Sequence, residues 1–394
     1  MFITLIRKYK VFIGIVLCTI LTIPFCIKKI NKSIDASEVS EVYAEKMEHQ
    51  NYGYWNTQNK MRMTDIERIS DNCILNEVCN QVISLDTLES SSFCRKKNCI
   101  HEDINCVNKM DIISICVCGG EMYVLCMSDR NAIYYIYNNK ATQIYRDKEQ
   151  ICGLWAYDDE LYFSTDYGLY TMNMGDTKAV KCLSERPVRY YDLVIHDGKL
   201  YYADDSKYLF MIDLQSGEET KITSRKMDMP DIYDNTLYYR GTDYKLYCSK
   251  LDGSAEKLVV DMPIRTYYFY KNGIVFQKLY QMYTYEGPGG DYSSDVCYMD
   301  LDTKQCEKIL SNVKTIDYMD DEGRIIYEDY NQEKTEQYYL AHPNESGGVK
   351  GDFACYNMMT KESKPIDIVE EMEINDEVLL TVGFVRNQSE DFVR

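Results

Sequence analysis

The segment from Tyr190 to Thr223 reads YYDLVIHDGKLYYADDSKYLFMIDLQSGEETKIT. Three turn clusters, HDG, DDSK and QSGE, divide it into four short runs rich in Tyr, Ile, Leu and Val. Turn residues that alternate with such runs predict antiparallel strands joined by tight hairpins. Helices are not expected, because no run between the turns reaches the length of a helix. The segment therefore predicts a meander of four strands.

The same pattern recurs along most of the chain. Each copy contains an apolar residue that starts a second β-rich run, and these starts are Met122, Leu161, Leu200, Leu237, Ile274, Ile325 and Val378. The intervals between them are 39, 39, 37, 37, 51 and 53 residues. A repeating unit of four strands in about 40 residues is typical of a propeller blade. We predict an all-β β-propeller with about seven four-stranded blades, with six or eight as alternatives.

The two ends of the repeat array predict how the propeller closes. Only about two strands remain after Val378, whereas NCILNEV, NQVISLD and SSFC precede the first full repeat. We predict that residues 53–394 form the propeller and that N-terminal and C-terminal strands share one composite blade.

The N-terminus predicts a membrane anchor. Residues 11–27 are an uncharged apolar run, which is close to the shortest length that spans a bilayer. Lysines follow the run where a signal peptidase would need small residues, so an uncleaved transmembrane helix fits better than a cleaved signal peptide. We predict a cytoplasmic tail over residues 1–10, a polar stalk over residues 28–52, and a single-pass protein of the cell membrane with its propeller outside the cytoplasm.

The formal net charge of −19 argues against nucleic acid as a partner. The chain has 16 cysteines, many of them in apolar strand-like runs where cysteine acts as a small buried hydrophobe. Their number indicates a reducing habitat.

One repeat carries a family resemblance. LYYRGTDYKLYCSKLDGSAEKLVV, from Leu237 to Val260, resembles a repeat of the YWTD propellers in low-density-lipoprotein-receptor-related proteins. Over residues 110–385 the chain also resembles membrane-anchored bacterial propeller proteins of unknown function. Tyr or Phe replaces the Trp of the motif, and its Thr-Asp pair occurs only in displaced form, as at Thr242-Asp243. The receptor binding of the animal proteins is therefore not carried over.

A cysteine and histidine cluster precedes the first full repeat, in FCRKKNCIHEDINC from Phe93 to Cys106. Cys94, Cys99, His101 and Cys106 would provide four ligands for a closed, structural zinc site. Disulfides to other cysteines, with His101 then incidental, and free thiols are the alternatives. The strand order places this cluster in a crossover between blades.

Two long insertions account for the two long repeat intervals. They are YTYEGPGGDYSSD, Tyr283 to Asp295, and HPNESGGVKGD, His342 to Asp352. Both are predicted between the second and third strands of neighbouring blades, on the face that carries the cysteine cluster. Loop elaboration on one face is typical of a binding surface. The predicted ligand-binding residues are Tyr283, Tyr285, Asp291, Tyr292 and His342.

These features predict a non-enzymatic, membrane-tethered propeller outside the cytoplasm that binds a protein, peptide or glycan through the elaborated face. The alternative is a carbohydrate-active hydrolase or lyase with its site in the central channel. The acidic pairs Asp204-Asp205 and Asp320-Asp321 are expected to be solvated turn residues and not catalytic groups. No motif of a nucleophilic triad is present.

Overall fold

The computed structural model describes residues 66–70, 73–76, 81–94, 106–118, 121–137, 140–279, 293–331, 333, 337 and 351–366. These residues form 26 β-strands, which confirms the all-β class. The strands lie in three four-stranded and two seven-stranded antiparallel sheets. Each seven-stranded sheet consists of two four-stranded meanders that share their middle strand, so the five sheets hold seven units.

The units follow the chain in order. Unit 1 contains β1 (Ile66–Ser70), β2 (Cys73–Asn76), β3 (Gln81–Ser84) and β4 (Ser90–Ser92). Unit 2 contains β5 (Ile112–Cys118), β6 (Glu121–Cys126), β7 (Asp129–Tyr137) and β8 (Lys140–Arg146). Unit 3 contains β9 (Ile151–Tyr157), β10 (Glu160–Thr165), β11 (Gly168–Asn173) and β12 (Asp176–Ser184).

The remaining units come in pairs with a shared strand. Unit 4 contains β13 (Val188–His196), β14 (Lys199–Asp204), β15 (Tyr208–Asp213) and the first part of β16 (Glu219–Tyr233). Unit 5 continues with the rest of β16, β17 (Thr236–Gly241), β18 (Leu246–Lys250) and β19 (Lys257–Val260). Unit 6 contains β20 (Ile264–Tyr270), β21 (Gly273–Lys278), β22 (Ser294–Asp300) and the first part of β23 (Cys306–Met319). Unit 7 contains the rest of β23, β24 (Arg324–Asp329), β25 (Phe353–Asn357) and β26 (Glu362–Pro365).

The periodic apolar residues have the expected place. Six of the seven repeat starts lie in the second strands of units 2 to 7, and each is at most 1% exposed: Met122, Leu161, Leu200, Leu237, Ile274 and Ile325. Burying a side chain of this size contributes about 1.5–3 kcal/mol. The repeat is therefore a periodic pattern of core residues. Val378 lies outside the described residues.

Tight hairpins join the first and second strands of units 3 to 5. The turn residues Asp158-Asp159, Asp197-Gly198 and Asp234-Asn235 all have positive φ angles. Two consecutive residues in this region fit a type I′ turn, whose twist matches that of the flanking strands. The HDG cluster of the opening segment thus ends β13 and starts β14.

Seven hydrophobic clusters hold the units together. Six lie between successive units; for example, Val194 and Leu209 of unit 4 pack with Leu237 of unit 5. The seventh joins the last unit to the first, because it contains Ile74 and Ile83 of unit 1 with Tyr318 of unit 7. Each described unit therefore packs against two neighbours, as in a propeller-type fold.

An ion pair accompanies the packing between the last and first units. Arg324 of unit 7 lies 3.5 Å from the Asp86 carboxylate of unit 1. The same guanidinium donates to Asp320 Oδ2 at 2.5 Å, and Asp320 Oδ1 also accepts from the Arg324 backbone N–H. Asp320 is 2% exposed, so the expectation that it is solvated is wrong. The same holds for Asp204, which is buried and accepts from the backbone N–H of Tyr208.

The first unit takes its strands from the N-terminal part of the chain. NCILNEV and NQVISLD contain β2 and β3, as predicted, and SSFC overlaps the end of β4. The strand β1 pairs with β2 at one edge of this sheet. Sequence reasoning did not identify β1 and expected C-terminal strands in this unit instead. Residues 367–394 lie outside the described part of the chain, so their predicted contribution stays a prediction.

The predicted tail, anchor and stalk, residues 1–52, also lie outside the described residues. Within the described ranges, no helix has the length and apolar character needed to cross a membrane.

Candidate ligand-binding face

The strand order places the three elaborated connections on one side of the sheets. Residues 280–292 connect the second and third strands of unit 6, and residues 332–350 connect those of unit 7. Residues 95–105 lie in the crossover from the last strand of unit 1 to the first strand of unit 2. In an antiparallel meander these connections all leave from the same end of the strands. We call this side the loop face.

The predicted ligand-binding residues belong to the two long connections. Tyr283, Tyr285, Asp291, Tyr292 and His342 lie outside the described residues, so their role stays a prediction. Described residues flank both connections, at the ends of the strands that they join.

The predicted metal cluster is described at its two ends, while Cys99 and His101 lie outside the described residues. Cys94 and Cys106 are each 5% exposed and belong to the hydrophobic cluster between units 1 and 2. The Asn108 Oδ1 atom accepts from the Cys94 backbone N–H at 2.7 Å and from the Ser92 hydroxyl at 2.9 Å. These bonds bring the ends of the crossover together. Among the residues that the structure describes, no group of three or more His, Cys, Asp or Glu side chains is placed to hold a metal.

An open depression of about 270 Å³ lies at the bases of both long connections. Ser293 follows the first connection, Tyr330 and Asn331 precede the second, and Asn312 and Asp329 complete the lining. These side chains provide a hydroxyl, two amides, a carboxylate and a phenol. The depression is thus polar, and it lies where units 6 and 7 pack together. We call such a boundary between two packed units a seam.

A carboxylate pair lies beside this depression. Partial burial and the nearby carboxylate of Asp352 raise the pKa of Asp329 above its ordinary value, against the opposing effect of the Tyr330 backbone N–H. The backbone N–H of Asp329 donates to the Asp352 carbonyl at 2.9 Å. This bond fixes the end of β24 against the residues before β25.

A buried ion pair of unit 7 involves Glu328, which precedes the lining residue Asp329. Lys314 Nζ lies 3.0 Å from Glu328 Oε1, and their side chains are 12% and 7% exposed. Glu328 also accepts from the backbone N–H of Gly351, the first described residue after the second long connection. This connection is thereby tied to the inner part of unit 7.

Further charged side chains lie on the loop face in units 4 to 6. In unit 5, Arg240 Nε and Nη2 donate to the two carboxylate oxygens of Asp228 at 2.7 and 3.0 Å. Lys207 of unit 4 lies 3.5 Å from the same carboxylate. Arg240 Nη1 then reaches unit 6, where it donates to the carbonyl of Arg265 at 2.5 Å.

The seam between units 6 and 7 is linked by two side chains of unit 6. Arg265 Nη1 donates to the Lys314 carbonyl at 2.9 Å. Gln277 Nε2 donates to the same carbonyl at 3.1 Å and to the Ser294 hydroxyl at 2.6 Å. Opposite Gln277 in the strand register is Thr266, and the two side chains leave buried oxygens, Gln277 Oε1 and Thr266 Oγ1, without a hydrogen bond to any described residue.

Sequence reasoning missed this charged series. A charged residue follows a buried apolar residue where the first strand of units 5, 6 and 7 begins. These pairs are Met227-Asp228, Ile264-Arg265 and Val313-Lys314. A charged residue at this one point of the repeat was a signal visible in the sequence. The strand register was needed to recognise that these charged residues occupy equivalent positions.

The one histidine among the described residues, His196, lies on the opposite side of the sheets, where its Nε2 atom is 3.1 Å from Asn235 Oδ1. This bond links unit 4 to unit 5, so His196 has a structural contact.

No protein-family model matches the chain, and no curated protein matches it. The YWTD resemblance therefore rests on the quoted motifs alone.

Solved structures show weak similarity to the chain. An oligogalacturonate lyase in complex with manganese shares 14% identity, with 64% of this chain and 74% of that chain covered and a TM-score of 0.43. An oligogalacturonate lyase from Vibrio parahaemolyticus shares 10% identity, with 64% and 77% covered and a TM-score of 0.44. PorZ, a surface component of the type-IX secretion system of Porphyromonas gingivalis, shares 11% identity, with 81% and 40% covered and a TM-score of 0.46.

Proposed function

We propose that the protein is a membrane-tethered, seven-bladed propeller outside the cytoplasm that binds a protein, peptide or glycan through its loop face. The observation that carries the proposal is the polar depression at the seam of units 6 and 7, at the bases of both long connections. Binding residues are commonly placed on loops that a rigid scaffold positions.

The seven blades of the proposal correspond to the seven described units. The packing of unit 7 against unit 1 supports a closed ring. The proposed tether is the apolar segment 11–27, for which the sequence is the support. Extraction of cell membranes at alkaline pH tests the tether: an integral anchor keeps the chain in the membrane pellet, and release into the supernatant contradicts it.

The binding proposal is tested with the full chain in detergent and arrays of cell-surface glycans and peptides. In the test variant, residues 281–291 are replaced by the short Thr-Asp-Tyr turn of residues 242–244. The matched control carries Asp302→Asn and Lys304→Asn in the turn between β22 and β23, on the opposite face. Binding that is lost in the loop variant and kept in the control supports the proposal. Equal binding by both variants contradicts it.

We further propose that Cys94, Cys99, His101 and Cys106 hold one structural zinc ion that fixes the crossover between units 1 and 2. The buried positions of Cys94 and Cys106 support a closed site, and four such ligands leave no open position for catalysis. A disulfide loop is the competing assignment.

Elemental analysis and thiol counting on the full chain, purified under reducing and anaerobic conditions, separate the two assignments. The expected result is about one zinc per chain, which the double variant Cys99→Ala, His101→Ala loses. Absence of metal, with thiols missing from the count after oxidative purification, would assign the segment to disulfides.

A further inference from the structure

Arg265 differs from the other charged residues of the loop face. Lys207 and Arg240 share the carboxylate of Asp228, and Lys314 pairs with Glu328. Arg265 is exposed, and its one side-chain bond to a described residue goes to the Lys314 carbonyl. Its guanidinium has no carboxylate partner among the described residues.

The surroundings of Arg265 keep its side chain in place. Arg265 Nη1 donates a hydrogen bond to the Lys314 carbonyl of unit 7, and the Arg265 carbonyl accepts one from Arg240 of unit 5. The remaining guanidinium N–H groups make no hydrogen bond to a described residue, and a planar fork of this kind suits a carboxylate. Arg265 is therefore an oriented cation in a chain whose net charge is −19.

The depression lies close to this cation. Arg265 donates to Lys314, and Lys314 is two residues after Asn312, a lining residue. Two residues of chain span at most ~7 Å between Cα atoms. The guanidinium and the depression are thus within reach of one oligosaccharide.

The lining of the depression favours a sugar over a peptide. Ser293, Asn312, Asp329 and Asn331 offer donors and acceptors that match hydroxyl groups, and Tyr330 offers an aromatic surface. Among the described residues, the lining has no aliphatic side chain, whereas protein interfaces are centred on apolar and aromatic anchors.

We infer that the seam between units 6 and 7 binds a carboxylate-bearing glycan, with Arg265 pairing with the carboxylate and the depression binding sugar hydroxyls. This inference rests on the proposed function and narrows its ligand to acidic sugars. The pair is exposed to solvent at Arg265, so added salt should weaken binding.

The test uses the full chain in nanodiscs of uncharged-headgroup lipid and measures affinity by titration calorimetry. The probes are tetramers of galacturonate and of mannuronate, each beside its carboxyl-reduced, neutral counterpart. Arg265→Gln removes the charge, and Arg265→Lys keeps it without the fork. Arg146→Gln is the matched control, because Arg146 is an exposed arginine at the same end of the strands in unit 2, paired with Asp129.

The expected result is binding of at least one acidic tetramer, with the neutral counterpart bound at least about tenfold more weakly. Arg265→Gln should lose at least about tenfold in affinity for the acidic tetramer, Arg265→Lys should lose less, and Arg146→Gln should be unchanged. Unfolding temperatures of the three variants show whether each is folded.

Three results would overturn the inference. They are equal binding of acidic and neutral tetramers, unchanged binding by Arg265→Gln, and no binding of either class. If the arrays still show a neutral glycan or a peptide whose binding depends on residues 281–291, the proposed function stands and the acidic ligand is wrong. If the arrays show no such binding, both the proposed function and the inference of an acidic ligand are contradicted.

Discussion

Units 3 to 5 and units 6 to 7 use the same four-stranded repeat but stabilise their seams differently. Between units 3 and 4, Glu219 accepts hydrogen bonds from Tyr202, Ser184 and Arg186, and the Arg186 guanidinium lies 4.3 Å from the centre of the Phe210 ring. We call this arrangement the Arg–Glu–Tyr bracket. The seam between units 6 and 7 has the buried Lys314–Glu328 pair instead.

The bracket recurs one repeat later. Between units 4 and 5, Glu256 accepts from Tyr239 at 2.5 Å and from Arg225 at 2.8 Å, and Arg225 lies 4.3 Å from the centre of the Tyr247 ring. Each carboxylate in these brackets has cationic and phenolic donors near the surface. The comparison shows that the seams of the short repeats pair their carboxylates with cations and phenols near the surface. The seam between units 6 and 7 buries its ion pair and lies beside an open polar depression.

The largest expected effect tests the buried pair. Lys314→Met leaves the Glu328 carboxylate buried with one remaining hydrogen bond to a described residue, from the backbone N–H of Gly351. The free energy of unfolding should fall by about 3–5 kcal/mol, because an uncompensated charge remains in the core. Denaturant unfolding measures this, and the double variant Lys314→Met, Glu328→Gln should recover most of the loss.

The matched substitution in the short repeats is Arg225→Met. Its partner Glu256 is 33% exposed, so water replaces the lost cation and the expected cost is about 1 kcal/mol. Equal losses for Lys314→Met and Arg225→Met would remove the distinction between the two kinds of seam.

The next effect comes from removing one phenol of a bracket. Tyr202→Phe deletes a donor to Glu219 in a region where Tyr202 itself is fully buried. The expected cost is about 1–3 kcal/mol. Tyr267→Phe, which removes a phenol that donates to the carbonyl of Met229 and not to a carboxylate, is the comparison variant. A smaller loss in Tyr202→Phe than in Tyr267→Phe would argue against a special value of the bracket.

The brackets also predict a pH dependence. Burial opposes ionisation of Glu219, but hydrogen bonds from Tyr202, Ser184 and Arg186 outweigh it and lower its pKa. The hydrogen bond from Arg225 is the main cause that lowers the pKa of Glu256. Since the folded pKa values lie below the unfolded ones, this stability is present above about pH 4.3 and is lost as the pH falls through the folded values.

Unfolding measured between pH 7 and pH 3 checks this dependence. The double variant Glu219→Gln, Glu256→Gln should be less stable at pH 7 and should lose less stability on acidification than the original chain. Parallel curves for the two proteins would show that other carboxylates cause the acid sensitivity.

The smallest effect concerns Thr266, in the inner strand of unit 6. Its hydroxyl is buried without a hydrogen bond to a described residue. Thr266→Val should leave stability unchanged or raise it by up to about 1 kcal/mol, because no bond is lost and a polar group is no longer desolvated. Thr171→Val is the control, since the Thr171 hydroxyl donates to the Leu161 carbonyl at 3.1 Å. A loss in Thr266→Val as large as in the control would mean that a water molecule satisfies the hydroxyl.

The fold was readable in the sequence where residues recur at fixed intervals. Leu161, Leu200 and Leu237 predict the second strands because a buried apolar position must return in every unit. The strand β1 was missed because Ile66–Ser70 has a mixed composition and is identified only by its pairing with β2. The orientation of Arg265 was also hidden, because it is defined by a carbonyl three strands away.

The shared strands β16 and β23 have a consequence for local opening. Each is the last strand of one unit and the first strand of the next, without a turn, inside one seven-stranded sheet. Separating units 4 and 5, or units 6 and 7, therefore disturbs the hydrogen bonds of both units at once, whereas units 2 and 3 are joined by a loop. In native-state hydrogen exchange, amides of units 4 and 5 should share one opening free energy, and so should those of units 6 and 7, while units 2 and 3 open separately.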